Sequence, residues 1–279
     1  MSQEPVLFAM ALVASALGGM LGMASGIFIV PMLTMLLGIP IHLAIGASLV
    51  SVIACSCAGA APYLRAGLTN LRLAVVLESA TTIGAVAGVL LAGAVPVATL
   101  YALFAAVLVV SAWQMRARRT DNVVAAPPGE RPSRLDGVYR DAGGRDVAYR
   151  VQRLPLGLAL MVGAGLLSAL LGIGSGVLKV PAMDSALRLP IKVSSATSNL
   201  MIGITASASA GAYFLRGDVV PAIAGPVTLG SVVGALLGAR VLLAMSAERL
   251  RTLFVALLIL LAGLMVLGAA GVDIVRGTP

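Results

Sequence analysis

One segment of this chain occurs twice, at a constant distance of 150 residues. The positions that recur are Leu21, Gly22, Ser25, Gly26, Val30, Pro31 and Pro40, which return as Leu171, Gly172, Ser175, Gly176, Val180, Pro181 and Pro190. The same offset relates Tyr63 to Tyr213 and Gly84 to Gly234. A fixed offset over so long a span indicates a duplicated structural unit. We therefore predict a first repeat at 1–115 and a second repeat at 154–279, joined by a linker at 116–153.

The composition places both repeats in a membrane. Hydrophobic residues make up 59% of the chain and charged residues only 11%. The segments at 71–92, 97–114, 219–242 and 247–271 have no polar face, which excludes a water-soluble helical bundle. They also exceed the roughly ten residues of a barrel strand and lack its alternation. The sequence predicts an all-α integral membrane protein.

Glycine and proline divide each repeat into a long broken segment and three helices. The broken segments are 5–38 and 155–188. The predicted helices are 42–64, 71–92 and 97–115 in the first repeat, and 192–214, 219–242 and 247–271 in the second. Each is close to the ~20 residues that a bilayer requires.

The broken segments are too long to be single membrane helices. A helix of their length would extend ~50 Å, whereas the hydrocarbon core is ~30 Å thick. Glycines disfavour helix near their centres, at positions 22, 26, 172, 174 and 176. A residue before proline favours extended backbone, so we expect short helices to begin at Pro31 and Pro181. The prediction is a helix, an extended Gly/Ser stretch and a short helix, either re-entrant or as two full spans.

The distribution of basic residues predicts the orientation of the repeats. The linker carries nine arginines, which makes it cytoplasmic by the positive-inside rule. If each broken segment enters and leaves on one side, every Lys and Arg except Lys179, Arg216 and Arg276 falls on the cytoplasmic side. This assignment predicts two inverted repeats in the cytoplasmic membrane, with both termini outside. The broken segments then meet near the midplane, where such transporters bind their substrates.

The linker itself has two interpretations that the sequence leaves about even. It is either disordered or a small hairpin, in which 138–141 and 147–151 flank an Ala-Gly-Gly turn. Its nine arginines against five acidic residues suit an anionic inner leaflet. No fold supports a nucleic-acid partner, and we expect none.

The broken segments predict an anion site. Extended backbone at membrane depth exposes N–H groups, which must line a protein cavity or bind a ligand. Hydroxyls of Ser25 and Ser175 add donors there. Lys179 is the only basic residue predicted well inside the membrane, where it neutralises an anion, pairs with Asp184 or snorkels. Close helix packing is the alternative explanation for the glycines, and it is the better one for the pairs Gly84/Gly88 and Gly234/Gly238.

Other polar residues have weaker assignments. Thr197, Ser198 and Asn199 could bind substrate or the unwound backbone, whereas Glu78 is expected near the inner interface rather than as a proton carrier. His42 is expected at the outer surface, and Cys55 and Cys57 as packing residues on different helix faces. With one histidine and no usable cysteine pair, we expect no enzyme activity, no metal and no cofactor.

The motif Gly172-Ile-Gly174-Ser-Gly176-Val-Leu-Lys179-Val-Pro181, followed by Pro190-Ile-Lys192 and Ala196-Thr-Ser-Asn199, resembles the signature of the sulfite exporter TauE/SafE family. The first repeat has a degenerate form, Gly22-Met-Ala-Ser25-Gly26 to Pro31 and then Gly46-Ala-Ser48. The resemblance implies export of sulfur-containing anions such as sulfite or organosulfonates across the cytoplasmic membrane. An anion channel, or an importer of another small organic anion, is the alternative.

The predicted substrate-binding set combines the motif with the anion chemistry. It comprises Ser25, Gly26, Ser48, Gly174, Ser175, Gly176, Lys179, Thr197, Ser198 and Asn199, with Gly22, Pro31, Gly172 and Pro181 as the breaks. The expected partners are a small anion and the lipid bilayer. Faces of small residues also permit a homodimer.

Overall fold

The structure is a computed structural model that describes residues 4–21, 25–91, 133–140, 145–171 and 175–246, with scattered positions between 95 and 113 and between 248 and 263. The first repeat contains α1 (Glu4–Leu21), α2 (Gly26–Pro31), a π-helical turn (Met32–Leu36), α3 (Ile41–Arg65) and α4 (Leu71–Leu91). The linker contributes β1 (Gly137–Arg140) and β2 (Asp146–Tyr149). The second repeat contains α5 (Leu154–Leu171), α6 (Gly176–Ser185), α7 (Ile191–Leu215) and α8 (Pro221–Ala244).

The helix bounds agree closely with the predicted ones. The helices predicted at 42–64, 71–92, 192–214 and 219–242 correspond to α3, α4, α7 and α8. The described positions at 99–113 and 248–263 are helical, and the rest of the predicted helices 97–115 and 247–271 lies outside the described residues. Gly22, Gly172 and Gly174, at the start of the predicted extended stretches, also lie outside them.

The short helices begin earlier than predicted. They start at Gly26 and Gly176, so Pro31 and Pro181 lie within helix, and Val30 and Val180 are helical rather than extended. Backbone carbonyls explain the earlier starts, because Ser25 and Ser175 accept the first helical N–H bonds. After Pro31 the wider π-helical turn follows, which accommodates a missing N–H donor.

Three described helices, α3, α4 and α8, are long and apolar enough to cross a membrane. Their outward side chains are large and hydrophobic, as at Val75, Ile83 and Leu90 of α4, which are 71%, 67% and 77% exposed. A water-soluble protein would bury such a surface, whereas lipid solvates it. The fold is therefore that of an all-α, multi-pass membrane protein with a small hairpin in its linker.

Helix α7 is as long as α3 but far more polar, and it lies in the interior. Its buried polar residues are Lys192, Ser194, Ser195, Thr197, Ser198, Asn199, Thr205 and Ser209. Polar side chains at membrane depth face the inside of a bundle, where they bind each other or a solute. The interior of this protein therefore has a polar lining along α7.

Helices from different repeats pack through glycines. A Cβ on Gly84 would lie 1.9 Å from the Val162 carbonyl oxygen, and one on Gly234 would lie 2.2 Å from that of Leu12. The two contacts are equivalent, because the 150-residue offset relates Gly84 to Gly234 and Leu12 to Val162. Gly88 and Gly238 repeat the pattern against Leu166 and Ala16. The packing role predicted for both glycine pairs is confirmed, and it joins α4 to α5 and α8 to α1.

A second pair of equivalent contacts fixes the broken segments against the long helices. The Tyr63 hydroxyl donates to the Gly19 carbonyl oxygen at 2.7 Å. The Tyr213 hydroxyl donates to the Ala169 carbonyl oxygen at 3.1 Å. The duplicated sequence thus makes duplicated contacts.

The linker hairpin closes one end of the bundle, the linker end. Strand β1 pairs antiparallel with β2 from Gly137 opposite Tyr149 to Arg140 opposite Asp146. The strands lie where the sequence left a hairpin as one of two alternatives. The Asn70 amide donates to the Leu135 carbonyl at 2.8 Å and to the Tyr149 hydroxyl at 3.1 Å.

Tyr149 holds the hairpin on the helices. Its ring is buried in one hydrophobic cluster with Leu73, Met183 and Leu187. Burial raises the pKa of its hydroxyl, Asp136 adds to the increase and the Asn70 amide opposes it. The Gln152 N–H donates to the Leu187 carbonyl at 3.1 Å, so the loop after α6 shares this end.

A different set of loops meets at the other end of the bundle, where α3 begins and α4 ends. A Cβ on Gly46, near the start of α3, would lie 2.2 Å from the Asp218 carbonyl oxygen, just after α7. The Arg216 guanidinium donates to the Val89 carbonyl, near the end of α4, at 3.2 Å. The start of α3 therefore lies beside the end of α7.

Candidate functional site

The turns before the two short helices lie against the middle of the long interior helices. Ser25 and Ser175 are both buried. The Ser25 carbonyl accepts from the Ile29 N–H at 3.0 Å, and the Ser175 carbonyl accepts from the Lys179 N–H at 2.8 Å. Serine is a favourable residue immediately before a helix, although neither side chain caps its helix here. Both hydroxyls are thereby left to make contacts across the interior.

In the second repeat the turn adjoins a charged cluster. Lys179 Nζ lies 2.7 Å from Glu78 Oε2 and 2.7 Å from Thr205 Oγ1, and donates to both. The Thr205 hydroxyl donates to Glu78 Oε1 at 2.5 Å. Ser175 Oγ lies 3.5 Å from Thr205 Oγ1. We call Glu78, Ser175, Lys179 and Thr205 the charged cluster.

Glu78 is buried inside the protein, while its expected depth near the inner interface stays a prediction. Glu78 is 4% exposed and Lys179 is 0% exposed, and they form a salt bridge between α4 and α6. The sequence suggested Asp184 as one partner for Lys179. In the structure, the Lys179 ammonium forms its salt bridge with Glu78. Removing either charge alone would leave the other charge unpaired in a medium of low dielectric constant. The cluster therefore has no net charge, although it contains one buried positive and one buried negative group.

The equivalent place in the first repeat contains hydroxyls instead of charges. Ser25 Oγ lies 3.0 Å from Ser51 Oγ, which lies 2.5 Å from Ser231 Oγ. By the 150-residue offset, Ile29 stands for Lys179, and Thr228 stands for Glu78. The charge asymmetry predicted from the Lys179/Ile29 pair therefore extends to both members of the salt bridge.

Between these places, a serine of α3 bonds to the backbone of α7. The Ser56 hydroxyl donates to the Asn199 carbonyl oxygen and accepts from the Gly203 N–H at 2.9 Å. These two backbone groups are four residues apart, as are the partners in a helical hydrogen bond. Helix α7 runs without a break from Ile191 to Leu215, so Ser56 ties α3 to one turn of it.

Next to this contact, α7 carries polar atoms that have no hydrogen-bond partner in the described part of the chain. Among the described residues, the Asn199 Oδ1 and Nδ2 atoms and the hydroxyls of Ser194, Ser195 and Ser198 have no hydrogen-bond partner. All four side chains are fully buried. Leaving a buried amide unsatisfied costs about 1–3 kcal/mol, so these groups are suited to bind a solute or water.

The structure brings together only part of the predicted set. The charged cluster includes Ser175 and Lys179, and Gly176 adjoins it. In the first repeat, Ser25 is hydrogen-bonded to Ser51, and Gly26 follows Ser25. Ser48 is buried on α3. Thr197 accepts from the Asn70 N–H at 3.1 Å, which ties α7 to the linker end. Gly174 lies outside the described residues.

Residues that lie outside these clusters have simple environments. His42 and Cys57 are exposed, and Cys55 is buried, so the two cysteines face different ways. Among the described residues, no group of three His, Cys, Asp or Glu side chains could hold a metal ion. The described interior therefore contains buried hydroxyls, the Asn199 amide, the Lys179–Glu78 ion pair and the charged side chains of Asp184 and Lys192.

Comparison with known families decides the class of protein. The sequence model of the family described as "Sulfite exporter TauE/SafE" matches residues 7–265. The chain belongs to the TauE/SafE family. The resemblance noted in the glycine motifs is confirmed, and the match covers the linker as well as both repeats.

Curated relatives agree with the TauE/SafE assignment. "Probable membrane transporter protein YdhB" of Bacillus subtilis (strain 168) is 27% identical over 222 residues, covering 80% of this chain and 83% of the relative. "Probable membrane transporter protein YunE" of the same organism is 24% identical over 243 residues, covering 85% and 87%. No solved structure matches the chain. This TauE/SafE protein is a membrane transporter.

Sequence reasoning did not identify Ser51, Ser56, Thr205 or Ser231 as parts of the interior. Thr205 had a weak signal, because it lies on the one long helix that is rich in polar residues. The serines had none, since isolated serines in apolar helices commonly bond to their own backbone. Only the contacts between helices reveal them.

Proposed function

We propose that this protein is a secondary transporter that exports sulfur-containing anions, such as sulfite or organosulfonates, across the cytoplasmic membrane. The observation that carries the proposal is the fully buried Lys179 beside the turn at Ser175. An ammonium at membrane depth is costly and is found where a transported ion needs a counter-charge. Sulfite and sulfonate oxygens accept hydrogen bonds from ammonium, hydroxyl and amide donors of the kind present here.

The contacts between loops support an inverted arrangement of the repeats. Helix α3 runs from the Asp218 loop to the linker end, whereas α7 begins near Leu187 at the linker end and finishes at that loop. Helices that correspond by the 150-residue offset thus run in opposite directions. Inverted repeats place a substrate site at their interface near the midplane.

Re-entrant broken segments are part of the same proposal. The segment of α5 and α6 begins after Arg153 and ends at Leu187, which contacts Gln152. Its turn contacts Thr205, fourteen residues into α7, which corresponds to a rise of ~21 Å. By the offset, the segment of α1 and α2 enters from the other side and turns beside Ser51. The two turns would then face the midplane from opposite sides.

In this proposal the linker end is cytoplasmic and both termini lie outside. The repeats are 1–115 and 154–279, with the basic linker at 116–153. Arg65, Arg72 and Arg188 lie near the hairpin end with the linker arginines, as the positive-inside rule requires. The homodimer stays a prediction, and Gly84 and Gly234, the small residues suited to it, contact other helices of the same chain.

We assign substrate contacts to the predicted set. Lys179 supplies the charge, and Ser25, Ser175 and Ser198 supply hydroxyl donors. The Asn199 amide, which has no hydrogen-bond partner among the described residues, supplies a further donor. Gly26, Gly176 and Gly174 allow close approach to backbone, and Ser48 and Thr197 line α3 and α7. Gly22 and Gly172 belong to the breaks, which end where the short helices begin at Gly26 and Gly176. Movement of one repeat against the other exposes this site to each side in turn.

Flux into proteoliposomes tests the proposal. We expect saturable movement of sulfite, thiosulfate and sulfoacetate by wild type, and loss of most of it in Lys179→Ala and Ser175→Ala. Ser207→Ala is the matched control, since this exposed α7 serine bonds only to its own helix at the Gly203 carbonyl. Equal flux in wild type and both site variants would contradict the site.

The same measurement separates the alternatives. Flux that rises without saturation would indicate an anion channel. Movement of other small organic anions without any sulfur anion would indicate an importer or exporter of a different class. No movement of any sulfur anion would contradict the proposed substrate.

A further inference from the structure

The ammonium of Lys179 is already occupied by a negative charge. It donates to the Glu78 carboxylate and to the Thr205 hydroxyl, both at 2.7 Å. A transported anion beside Lys179 would bring a second negative charge within a few ångströms of Glu78. Two anions so close in a low-dielectric interior repel strongly, and one carboxylate of such a pair takes up a proton.

We propose that Glu78 carries one proton with each anion, and that the anion takes the place of Glu78 at Lys179 only when Glu78 is protonated. This inference rests on the proposed function and adds its ion coupling. An O–H bond forms on Glu78 Oε1, the atom that Thr205 contacts, with a proton from the solution on the side from which the anion enters. The ion contact with Lys179 Nζ ends, and the ammonium then contacts the anion. The cluster is neutral before and after this exchange.

Thr205 can also stabilise the protonated state of Glu78. Its hydroxyl now donates to Glu78 Oε1 and accepts from Lys179. A hydroxyl can donate or accept, so it can turn to accept from a protonated Glu78. The Met201 carbonyl oxygen, 3.3 Å from Thr205 Oγ1, can then accept the hydrogen of the Thr205 hydroxyl.

Other ionisable groups near Glu78 come from α6, α7 and the hairpin. The described part of α5, which packs on α4, contains none. Asp184 lies five residues beyond Lys179 on α6, and Tyr149 approaches from the hairpin. Lys192 lies thirteen residues before Thr205 on α7, a rise of ~20 Å. By the 150-residue offset, Ile29 and Thr228 stand where Lys179 and Glu78 would recur, so the duplication supplies this ion pair once.

The consequence concerns charge movement. A monovalent sulfonate accompanied by a proton crosses without net charge, and its direction follows the sum of the anion and pH gradients. A divalent anion such as thiosulfate would cross with one uncompensated negative charge. Coupling therefore depends on the charge of the substrate.

The experiment uses full-length protein in liposomes that contain a pH-sensitive dye. Methanesulfonate is the probe, because it stays ionised at every pH used and carries no proton itself. For wild type we expect one proton to move with each anion. Glu78→Gln resembles the protonated acid, so we expect anion movement to persist, to lose its proton and to become insensitive to pH. Glu248→Gln, at an exposed glutamate, is expected to keep the wild-type ratio.

The outcomes are distinguishable. Methanesulfonate movement by wild type without protons would overturn this inference and leave the proposed function intact, as would an unchanged ratio in Glu78→Gln. No movement of any sulfur anion by wild type would overturn both. If Glu78→Gln does not fold, the proton ratio of wild type decides alone.

Discussion

Lys179 and Glu78 are 101 residues apart in sequence, and their charged atoms lie 2.7 Å apart between α6 and α4. The pair joins the two repeats at the depth of the Ser175 turn. A pair of this kind adds little net stability over well-packed apolar residues, because burial of both charges is costly. Its retention in the interior is better explained by a role in transport.

The first prediction separates the structural and transport roles of this pair. Lys179→Met or Glu78→Gln alone should lower the free energy of unfolding by about 3–5 kcal/mol, because one buried charge loses its partner. The double variant should recover most of that loss. Thermal unfolding in detergent measures the stability, and flux measures the function. Wild-type flux in the double variant would contradict a transport role for Lys179.

The second prediction concerns the glycine contacts between repeats. Gly84→Ala and Gly234→Ala should each destabilise the protein by about 1–3 kcal/mol, because the added methyl group overlaps a backbone carbonyl. Gly163→Ala on α5 is the matched control, since nothing lies within 4 Å of its added methyl group. Unfolding temperatures compare the three variants. A control as unstable as the others would remove the contact as the cause.

The third prediction uses backbone strain at equivalent positions. Arg188 has φ 54°, and its counterpart Gly38 has φ 64°, in the left-handed region. Such a conformation costs about 1–2 kcal/mol for a residue with a side chain. Arg188→Gly should therefore stabilise the protein slightly, and Gly38→Ala should destabilise it by about 1 kcal/mol. Changes of the same sign in both variants would show that other contacts dominate.

The fourth prediction concerns orientation. A cysteine at Arg216 should react with a membrane-impermeant maleimide in intact cells, and a cysteine at Arg145 should react only after the membrane is opened. Both would be introduced into a variant that lacks the exposed Cys57. Both sites belong to loops, but at opposite ends of the proposed topology. Reaction of Arg145→Cys in intact cells would reverse the assignment.

Much of the helical layout could be predicted, because hydrophobic length and glycine or proline boundaries are local signals. The bounds of α3 and α8 differ from prediction by one to two residues. The start of the short helices was missed, because the rule for a residue before proline disfavours helix at Val30 and Val180. Here tertiary packing holds Val30 and Val180 in helix despite that rule.

The charged cluster was only half predictable. Lys179 is conspicuous as a cation in an apolar segment, but its partner comes from another repeat and no local pattern connects them. Asp184 was considered because it is near in sequence, yet residues five apart do not share a helix face. Contacts of Ser56 and Ser51 likewise depend on which helices pack together, which a single sequence does not encode locally.

The most direct measurement is diffraction from crystals of the protein soaked with selenite, which has the shape of sulfite and scatters anomalously at the selenium edge. We expect a peak within hydrogen-bond reach of Lys179 Nζ and the Ser175 hydroxyl, and no such peak in Lys179→Met. Selenium bound only elsewhere, at a concentration that saturates sulfite flux, would contradict a substrate site between the two repeats.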